Sequence, residues 1–120
     1  MTAALAIIAA SVSVGMRDVG RAVARHRPDP PPFESAVASY YDYGGASTGA
    51  CGALRADGVA NRTMPCGLRL TMCAARCAPA TVDDRGPYVA GRDFDLSVSL
   101  AQAIGFDFGA GVATIRWRQR

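Results

Sequence analysis

One short run of the sequence constrains the fold more than any other: Val82-Asp83-Asp84-Arg85-Gly86-Pro87-Tyr88, followed by Gly91-Arg92-Asp93-Phe94-Asp95-Leu96-Ser97. A strand is predicted to end at the two adjacent carboxylates, and the Gly-Pro pair after them turns the chain sharply. Since successive side chains of a strand point to opposite faces, Asp83 and Asp84 are predicted to face in opposite directions. The run therefore predicts that Asp84 is aimed into a groove where a strand ends.

Short strands dominate the rest of the pattern. They are predicted at four places: 36–43, 68–73, 78–83 and 111–118. A hairpin turn is predicted at 74–76, and the only helix at 97–104, with Ser97 as its N-cap and Gly105 ending it. Many short strands, Gly-rich turns and one short helix indicate a mainly β fold, a small β-barrel.

The beginning of the chain differs in composition from the remainder. Residues 1–24 hold a short apolar run followed by small residues, which predicts a signal peptide-like leader; a short anchor and a misplaced start codon are the alternatives. Residues 25–34 form a Pro-rich linker, because Pro28-Asp29-Pro30-Pro31-Pro32 cannot continue a helix or join a central strand. One domain is left at 35–120.

The charge of this part of the chain is nearly balanced. From residue 33 onward there are nine arginines and eight acidic residues, so the composition does not support a nucleic-acid groove.

The cysteines form an even set inside the predicted domain: Cys51, Cys66, Cys73 and Cys77. Their spacing lacks the paired pattern of zinc sites, and His26 lies outside the set, so disulfides are favoured over a metal. Of the 3 connectivities that four cysteines allow, we prefer Cys73–Cys77 across the hairpin turn and Cys51–Cys66 across the longer loop. Disulfides persist in oxidising compartments, so we expect a secreted protein without metal or other cofactor.

Four motifs stand in order along the predicted domain: Ala38-Ser39-Tyr40-Tyr41, the segment 62–70, Asp84-Arg85-Gly86-Pro87-Tyr88 and Asp95-Leu96-Ser97. They resemble the motifs of the rare lipoprotein A (RlpA)-like domains, whose first strand carries Ala-Ser-Trp-Tyr and whose second motif is Arg-Thr-Leu-Pro-x-Gly-Thr-x-Val. The resemblance extends over about residues 36–118. It implies a six-stranded double-psi β-barrel with a shallow polysaccharide groove, in secreted proteins directed to the cell wall.

Two motifs are also similar to the first domain of expansins, which share this barrel: Phe94-Asp95-Leu96-Ser97 and Thr48-Gly49-Ala50-Cys51-Gly52. Enzymatic RlpA-like members are lytic transglycosylases that cleave peptidoglycan glycan strands, whereas expansins loosen wall polymers without hydrolysing them. The resemblance therefore implies a wall polysaccharide as ligand in either case.

The family's functional residues transfer only in part. The catalytic aspartate falls on Asp84, and the expansin-type aspartate falls on Asp95. The catalytic glutamate of the family falls near Ala50 and its histidine on Asn61, so neither group is present. Whether the domain is an enzyme stays open at this point.

Asp84 is the candidate acid and base for glycan cleavage, which needs a proton delivered to the leaving oxygen. The alternative is that Asp84 only fixes the turn through local hydrogen bonds. Asp95 is predicted to be a second carboxylate of the site or a helix cap. Aromatic planes and polar side chains complete the expected glycan contacts: Tyr41, Tyr43, Thr48, Asn61, Arg85 and Tyr88.

The sequence thus predicts a secreted, monomeric domain that binds cell-wall glycan, peptidoglycan or a similar polysaccharide, and leaves open whether Asp84 also cleaves it. The alternatives are a non-catalytic expansin-like module that binds or loosens the wall, and a barwin-like interaction or inhibitor domain. Membrane contact is expected only through an uncleaved leader.

Overall fold

The fold is described by a computed structural model over residues 27–120, so the predicted leader at 1–24 lies outside the described residues. The elements follow in the order β1 (Glu34–Tyr41), β2 (Thr48–Gly49), β3 (Gly52–Ala53), β4 (Gly58–Ala60), β5 (Arg69–Cys73), β6 (Cys77–Asp84), β7 (Phe94–Ser97), α1 (Val98–Ile104) and β8 (Val112–Gln119). Six strands close into a barrel in the order β1-β7-β4-β6-β5-β8, while β2 and β3 form a separate small hairpin. The predicted six-stranded barrel with one short helix is confirmed for the described residues.

Two pairs of barrel strands are parallel, β1 with β7 and β4 with β6, and the other four pairings are antiparallel. Side chains that alternate along the strands fill the interior. In β8, Ala113, Ile115 and Trp117 pack on the core, and the Trp117 ring meets Phe94 edge-on at 5.5 Å. Arg118, the next residue of the strand, points to the other face, with its guanidinium 4.3 Å from the centre of the Phe33 ring.

The local signals of the hairpin and the helix are confirmed. Cys73 ends β5 and Cys77 begins β6. The two are register partners, and they form a disulfide as expected. The second predicted disulfide, Cys51–Cys66, is also present. Helix α1 begins after Ser97, whose hydroxyl accepts a hydrogen bond from Leu100 N–H, and ends at Gly105 with φ of 67°. Within residues 27–120 no helix is long and apolar enough to cross a membrane.

The sequence pattern missed β4 and β7. Each has at most four residues, too few to show a period, and each is a strand because it lies between two barrel neighbours. The first strand is also displaced from its prediction. It begins at Glu34, inside the predicted linker, and ends at Tyr41 because the Asp42 carboxylate accepts the N–H of Gly44 and turns the chain.

Candidate functional site

The two aspartates at the end of β6 have different surroundings. Asp83 is buried, with 3% of its surface exposed, and Asp84 is half-buried at the outer face. The pleat is interrupted here, because the register with β4 moves from Val59–Val82 to Ala60–Asp84 and leaves Asp83 without a partner residue. Asp84 is therefore the carboxylate of the pair that a ligand can reach.

The carboxylate of Asp84 is held by backbone N–H groups. Its Oδ1 accepts hydrogen bonds from Ala50 N and Arg85 N, both at 2.9 Å. Gly49 permits this approach, because a Cβ there would lie 2.7 Å from the Asp84 Cγ. Its Oδ2 accepts no hydrogen bond from residues 27–120, so this oxygen remains available to a ligand. The backbone of the loop that carries Gly49 and Ala50 therefore lies directly against Asp84.

A row of register partners crosses the outer face of three barrel strands and continues onto β1. Ala60 in β4 is paired with Asp84 in β6 on one side and with Asp95 in β7 on the other. Asp95 is in turn paired with Ser39, whose hydroxyl donates to Asp95 Oδ1 at 3.0 Å. Paired residues point to the same face, and two strand spacings separate the backbones of Asp84 and Asp95 by about 10 Å. This row, made of Ser39, Asp95, Ala60 and Asp84, is called the Asp84 face below.

Asp95 carries a perturbed carboxyl group. Burial raises the pKa of Asp95 above its ordinary value, and the charge of Asp84 adds to the increase, while the Ser39 hydrogen bond and the Arg92 charge oppose it. Helix capping is performed by Ser97 and not by Asp95, because Ser97 Oγ is the atom that accepts from the first turn. Of its two predicted roles, Asp95 keeps that of a second carboxylate near Asp84.

At the same strand end, Asp83 is buried beside Arg55, Gly58 and two tyrosines. Asp83 Oδ2 accepts the N–H of Arg55 at 2.8 Å, and a Cβ on Gly58 would lie only 1.9 Å from that oxygen. The other oxygen of Asp83 and the hydroxyl of Tyr41 are buried without a hydrogen-bond partner. Burial raises the pKa of Asp83, and the nearby charge of Asp84 adds to it.

Tyr41 and Tyr43 are both partly exposed and lie beside Asp83. Their rings meet edge-on at 5.1 Å, and the Tyr43 hydroxyl donates to the Arg55 carbonyl. Burial raises the pKa of Tyr41, with the charge of Asp83 the next cause. Tyr41 follows Ser39 by two residues in β1, so its ring lies on the side of that strand that carries the Asp84 face.

Two residues expected to contact glycan are engaged in holding a loop. Asn61 is buried, its Oδ1 accepts the N–H groups of Thr63 and Met64, and its Nδ2 donates to the Asp93 carbonyl. Arg85 donates to the carbonyls of Asn61 and Met64 at 3.2 and 2.8 Å. The Asn side chain two and three residues before backbone donors is the signal of an Asx turn, and it could have revealed this role from the sequence.

The remaining expected contacts are exposed. Thr48 lies at the surface in β2, and Tyr88 is 79% exposed in the loop after the Gly-Pro turn. A concavity of about 300 Å³ lies between Arg62 and the loop 88–91, and neither Asp84 nor Asp95 lines it. In the Asp84 face, the two carboxylates are half-buried, whereas Ser39 and Ala60 are buried. No cluster of three His, Cys, Asp or Glu side chains suited to a metal ion occurs in the described part of the chain.

Comparison with known proteins agrees with this architecture. A family model described as lytic transglycolase matches residues 34–117. Among solved structures, an expansin of Clavibacter michiganensis is similar over 74% of this chain and 50% of its own, with 25% identity and a TM-score of 0.61. An Asp-to-Asn mutant of a Clavibacter michiganensis expansin in complex with cellohexaose has 24% identity and a TM-score of 0.62 over the same shares. This chain therefore spans about half the length of these expansins.

A third structure, a Streptomyces papain inhibitor, is similar over 75% of this chain and 96% of its own. Its identity is 22% and its TM-score 0.58, which supports the fold alone. No match is found among curated proteins.

Proposed function

The chain belongs to the lytic transglycolase family of double-psi β-barrels, as its motifs predicted, and we propose that it is a secreted domain that binds cell-wall glycan on the Asp84 face. Peptidoglycan strands are the proposed ligand, and the domain at 35–120 acts as a monomer behind the leader and the Pro-rich linker. The two disulfides support secretion, because such bonds persist in oxidising compartments.

The observation that carries this proposal is the free Oδ2 of Asp84. With Oδ1 fixed by two N–H groups, Oδ2 has a set direction and accepts no hydrogen bond from the described residues. Asp95, across Ala60, presents a second carboxylate on the same face. Carboxylate oxygens are strong acceptors for sugar hydroxyls. The exposed ring of Tyr88 offers a plane on which a sugar can stack.

The similar structures give further support for a polysaccharide ligand. The Clavibacter michiganensis expansin mutant was solved in complex with cellohexaose, and about half of that chain corresponds to this barrel. We infer from this that the ligand of the present domain is also a glycan chain. Peptidoglycan is preferred over cellulose because the matching family model is that of lytic transglycolases.

Glycan cleavage is the second candidate function, with Asp84 as acid and base. A lytic transglycosylase uses a hydroxyl of the sugar itself as nucleophile, so one carboxyl group with a free oxygen is the minimum that the reaction needs. The positions of the family's glutamate and histidine hold Ala50 and Asn61, and the Asn61 amide is engaged in its own loop. These two positions favour binding over cleavage.

Co-sedimentation with purified peptidoglycan sacculi tests the binding proposal. We expect the wild-type protein to sediment with sacculi more than with cellulose, and Asp84→Asn to weaken binding by about tenfold, the loss of one charged hydrogen bond. Asp29→Asn is the matched control, since it removes the same charge at an exposed position of the linker. A wild-type protein that stays in the supernatant would refute the proposal.

Mass spectrometry of the soluble fraction decides between the two candidates. Release of anhydro-muropeptides by the wild-type protein and not by Asp84→Asn would establish cleavage. Sedimentation without such products would establish a binding module. If the protein sediments more with cellulose than with sacculi, its ligand is a glycan but not peptidoglycan.

A further inference from the structure

The carboxylate of Asp84 is enclosed by a ring of bonds that contains a disulfide. Its Oδ1 accepts the N–H of Ala50, and the next residue, Cys51, is bonded to Cys66. The Cys66 sulfur accepts a hydrogen bond of 3.2 Å from the guanidinium of Arg85, which follows Asp84 in the chain. Each link of the ring is thus a covalent bond or a hydrogen bond, and the ring closes on the aspartate itself.

The loop that carries Ala50 depends on this ring for its position. Strands β2 and β3 have two residues each, pair only with each other and do not join the barrel. An isolated two-stranded hairpin is marginally stable in water. The other side of the disulfide is fixed well, because Cys66 follows the 61–65 turn that Asn61 and Arg85 hold through four hydrogen bonds. The disulfide therefore attaches a weakly held hairpin to a firmly held turn.

We propose that the Cys51–Cys66 disulfide is a positioning element of the Asp84 face. It keeps the N–H of Ala50 against Oδ1 of Asp84 and thereby sets the direction of the free Oδ2 that receives the glycan. This inference rests on the proposed function for its effect on binding. The effect on Ala50 itself can be measured without any ligand.

The second disulfide of the chain is a matched control. Cys73 and Cys77 are already neighbours in the register of β5 and β6, and backbone hydrogen bonds of the barrel hold that hairpin. The turn between them is held further by Arg76, which donates to carbonyls at the end of α1. This disulfide lies at the start of β6 and Asp84 at the end of it, so we expect removal of the disulfide to change stability without changing the site.

The experiment compares Cys51→Ser/Cys66→Ser with Cys73→Ser/Cys77→Ser, each with and without Asp84→Asn. Binding to sacculi is measured well below the lowest melting temperature of the set. We expect the first pair to weaken binding by about tenfold, as Asp84→Asn does, and the second by less than about twofold. Because the disulfide acts through Asp84, adding Asp84→Asn to the first pair should weaken binding by less than about twofold, a strongly non-additive cycle.

The amide resonance of Ala50 is the readout that needs no glycan. In the wild-type protein and in Cys73→Ser/Cys77→Ser, Asp84→Asn should shift this resonance, because Asp84 accepts from that N–H. In Cys51→Ser/Cys66→Ser the same substitution should leave it unchanged. A resonance that still responds there would overturn the inference, even if the wild-type protein never binds sacculi.

Two other outcomes would also overturn it. Additive effects of the disulfide and of Asp84→Asn would mean that the bond acts through general stability. Should Cys51→Ser/Cys66→Ser fail to fold, dithiothreitol is added to Cys73→Ser/Cys77→Ser, where it reduces the one remaining disulfide to two thiols. Loss of the whole amide spectrum on reduction would show that the bond supports the fold, whereas loss confined to the Ala50 loop and to binding would support the proposal.

Discussion

Asp83 and Asp84 are adjacent and chemically identical, but the fold places their carboxylates in different surroundings. The interior carboxylate accepts one backbone N–H, from Arg55, and leaves its second oxygen buried without a partner. The outer carboxylate accepts two N–H groups and leaves its second oxygen toward solvent. An oxygen without a partner costs free energy when it is buried, as in Asp83, whereas the half-buried Asp84 leaves its second oxygen accessible.

A glycine stands against each carboxylate, which makes the comparison testable. A Cβ on Gly58 would lie 1.9 Å from Asp83 Oδ2 and 2.8 Å from the Arg55 carbonyl, so it meets backbone as well as side chain. A Cβ on Gly49 would meet only the carboxylate of Asp84. A methyl group on Gly58 cannot be accommodated without moving the backbone, whereas the Asp84 carboxylate can rotate away from a methyl group on Gly49.

Gly58→Ala is expected to have the largest effect on stability. The added methyl group must displace Asp83 or the Arg55 backbone inside a packed region, at a cost of about 3 kcal/mol in the free energy of unfolding. Urea denaturation followed by circular dichroism measures it.

Gly49→Ala is the matched substitution at the outer carboxylate. It should cost about 1 kcal/mol, the value of the lost hydrogen bond, while weakening glycan binding as strongly as Asp84→Asn. Equal losses of stability for the two glycine variants would show that the inner and outer carboxylates are held alike, contrary to the comparison.

The sequence anticipated much of the fold because many of its signals are local. The turn at 74–76 and the Ser97 cap lie within a few residues of the groups that they bond. The difference in burial between Asp83 and Asp84, by contrast, coincides with a register shift between β4 and β6 that strand alternation does not predict. Strand β4 was missed because its three residues gain their identity from β6 and β7. Such pairing is a tertiary property that no local pattern encodes.

The site was predicted less completely, for the same reason. Ala50 lies 34 residues before Asp84, and nothing near either residue indicates that the N–H of one meets the carboxylate of the other. Asn61 and Arg85 were expected to contact glycan because polar side chains near a family motif suggest ligands. Both side chains also hold the 61–66 loop: the Asx turn of Asn61 is a local pattern, whereas Arg85 reaches the carbonyls of Asn61 and Met64 across 24 and 21 residues, which only the three-dimensional arrangement shows.

The pH dependence of stability tests the surroundings of the buried carboxylate, Asp83. Burial, with the charges of Asp84 and Asp57, raises the pKa of Asp83 above the 3.8 of an ordinary aspartate, so the folded state keeps a proton that the unfolded state has lost. The stability due to this proton is fully present below the ordinary pKa and is lost as the pH rises through the raised one. Asp83→Asn removes this dependence while keeping an oxygen for the N–H of Arg55.

We therefore expect wild type and Asp83→Asn to differ least in acid, with the variant gaining stability relative to wild type as the pH rises toward neutrality. Urea denaturation across this range measures the difference. Asp95, whose pKa burial also raises, contributes equally to both proteins and cancels in the comparison. Asp57, whose pKa is lowered, is coupled to the Asp83 charge, and removal of that charge favours the Asp57 carboxylate further, so it shifts the difference in the same direction. A constant difference at all pH values would contradict the assignment.

The smallest effect is expected for Tyr41, whose hydroxyl is buried without a hydrogen-bond partner, as is one oxygen of Asp83. Tyr41→Phe removes this desolvated polar atom and keeps the ring against Tyr43. The variant should be as stable as wild type or more stable by up to about 1 kcal/mol in thermal or urea unfolding. Tyr43→Phe is the control, since its hydroxyl donates to the Arg55 carbonyl, and it should lose about 1 kcal/mol. If Tyr41→Phe were instead the more damaging of the two, its hydroxyl would be bonded to Asp83 through water, and the interior carboxylate would be as well satisfied as the outer one.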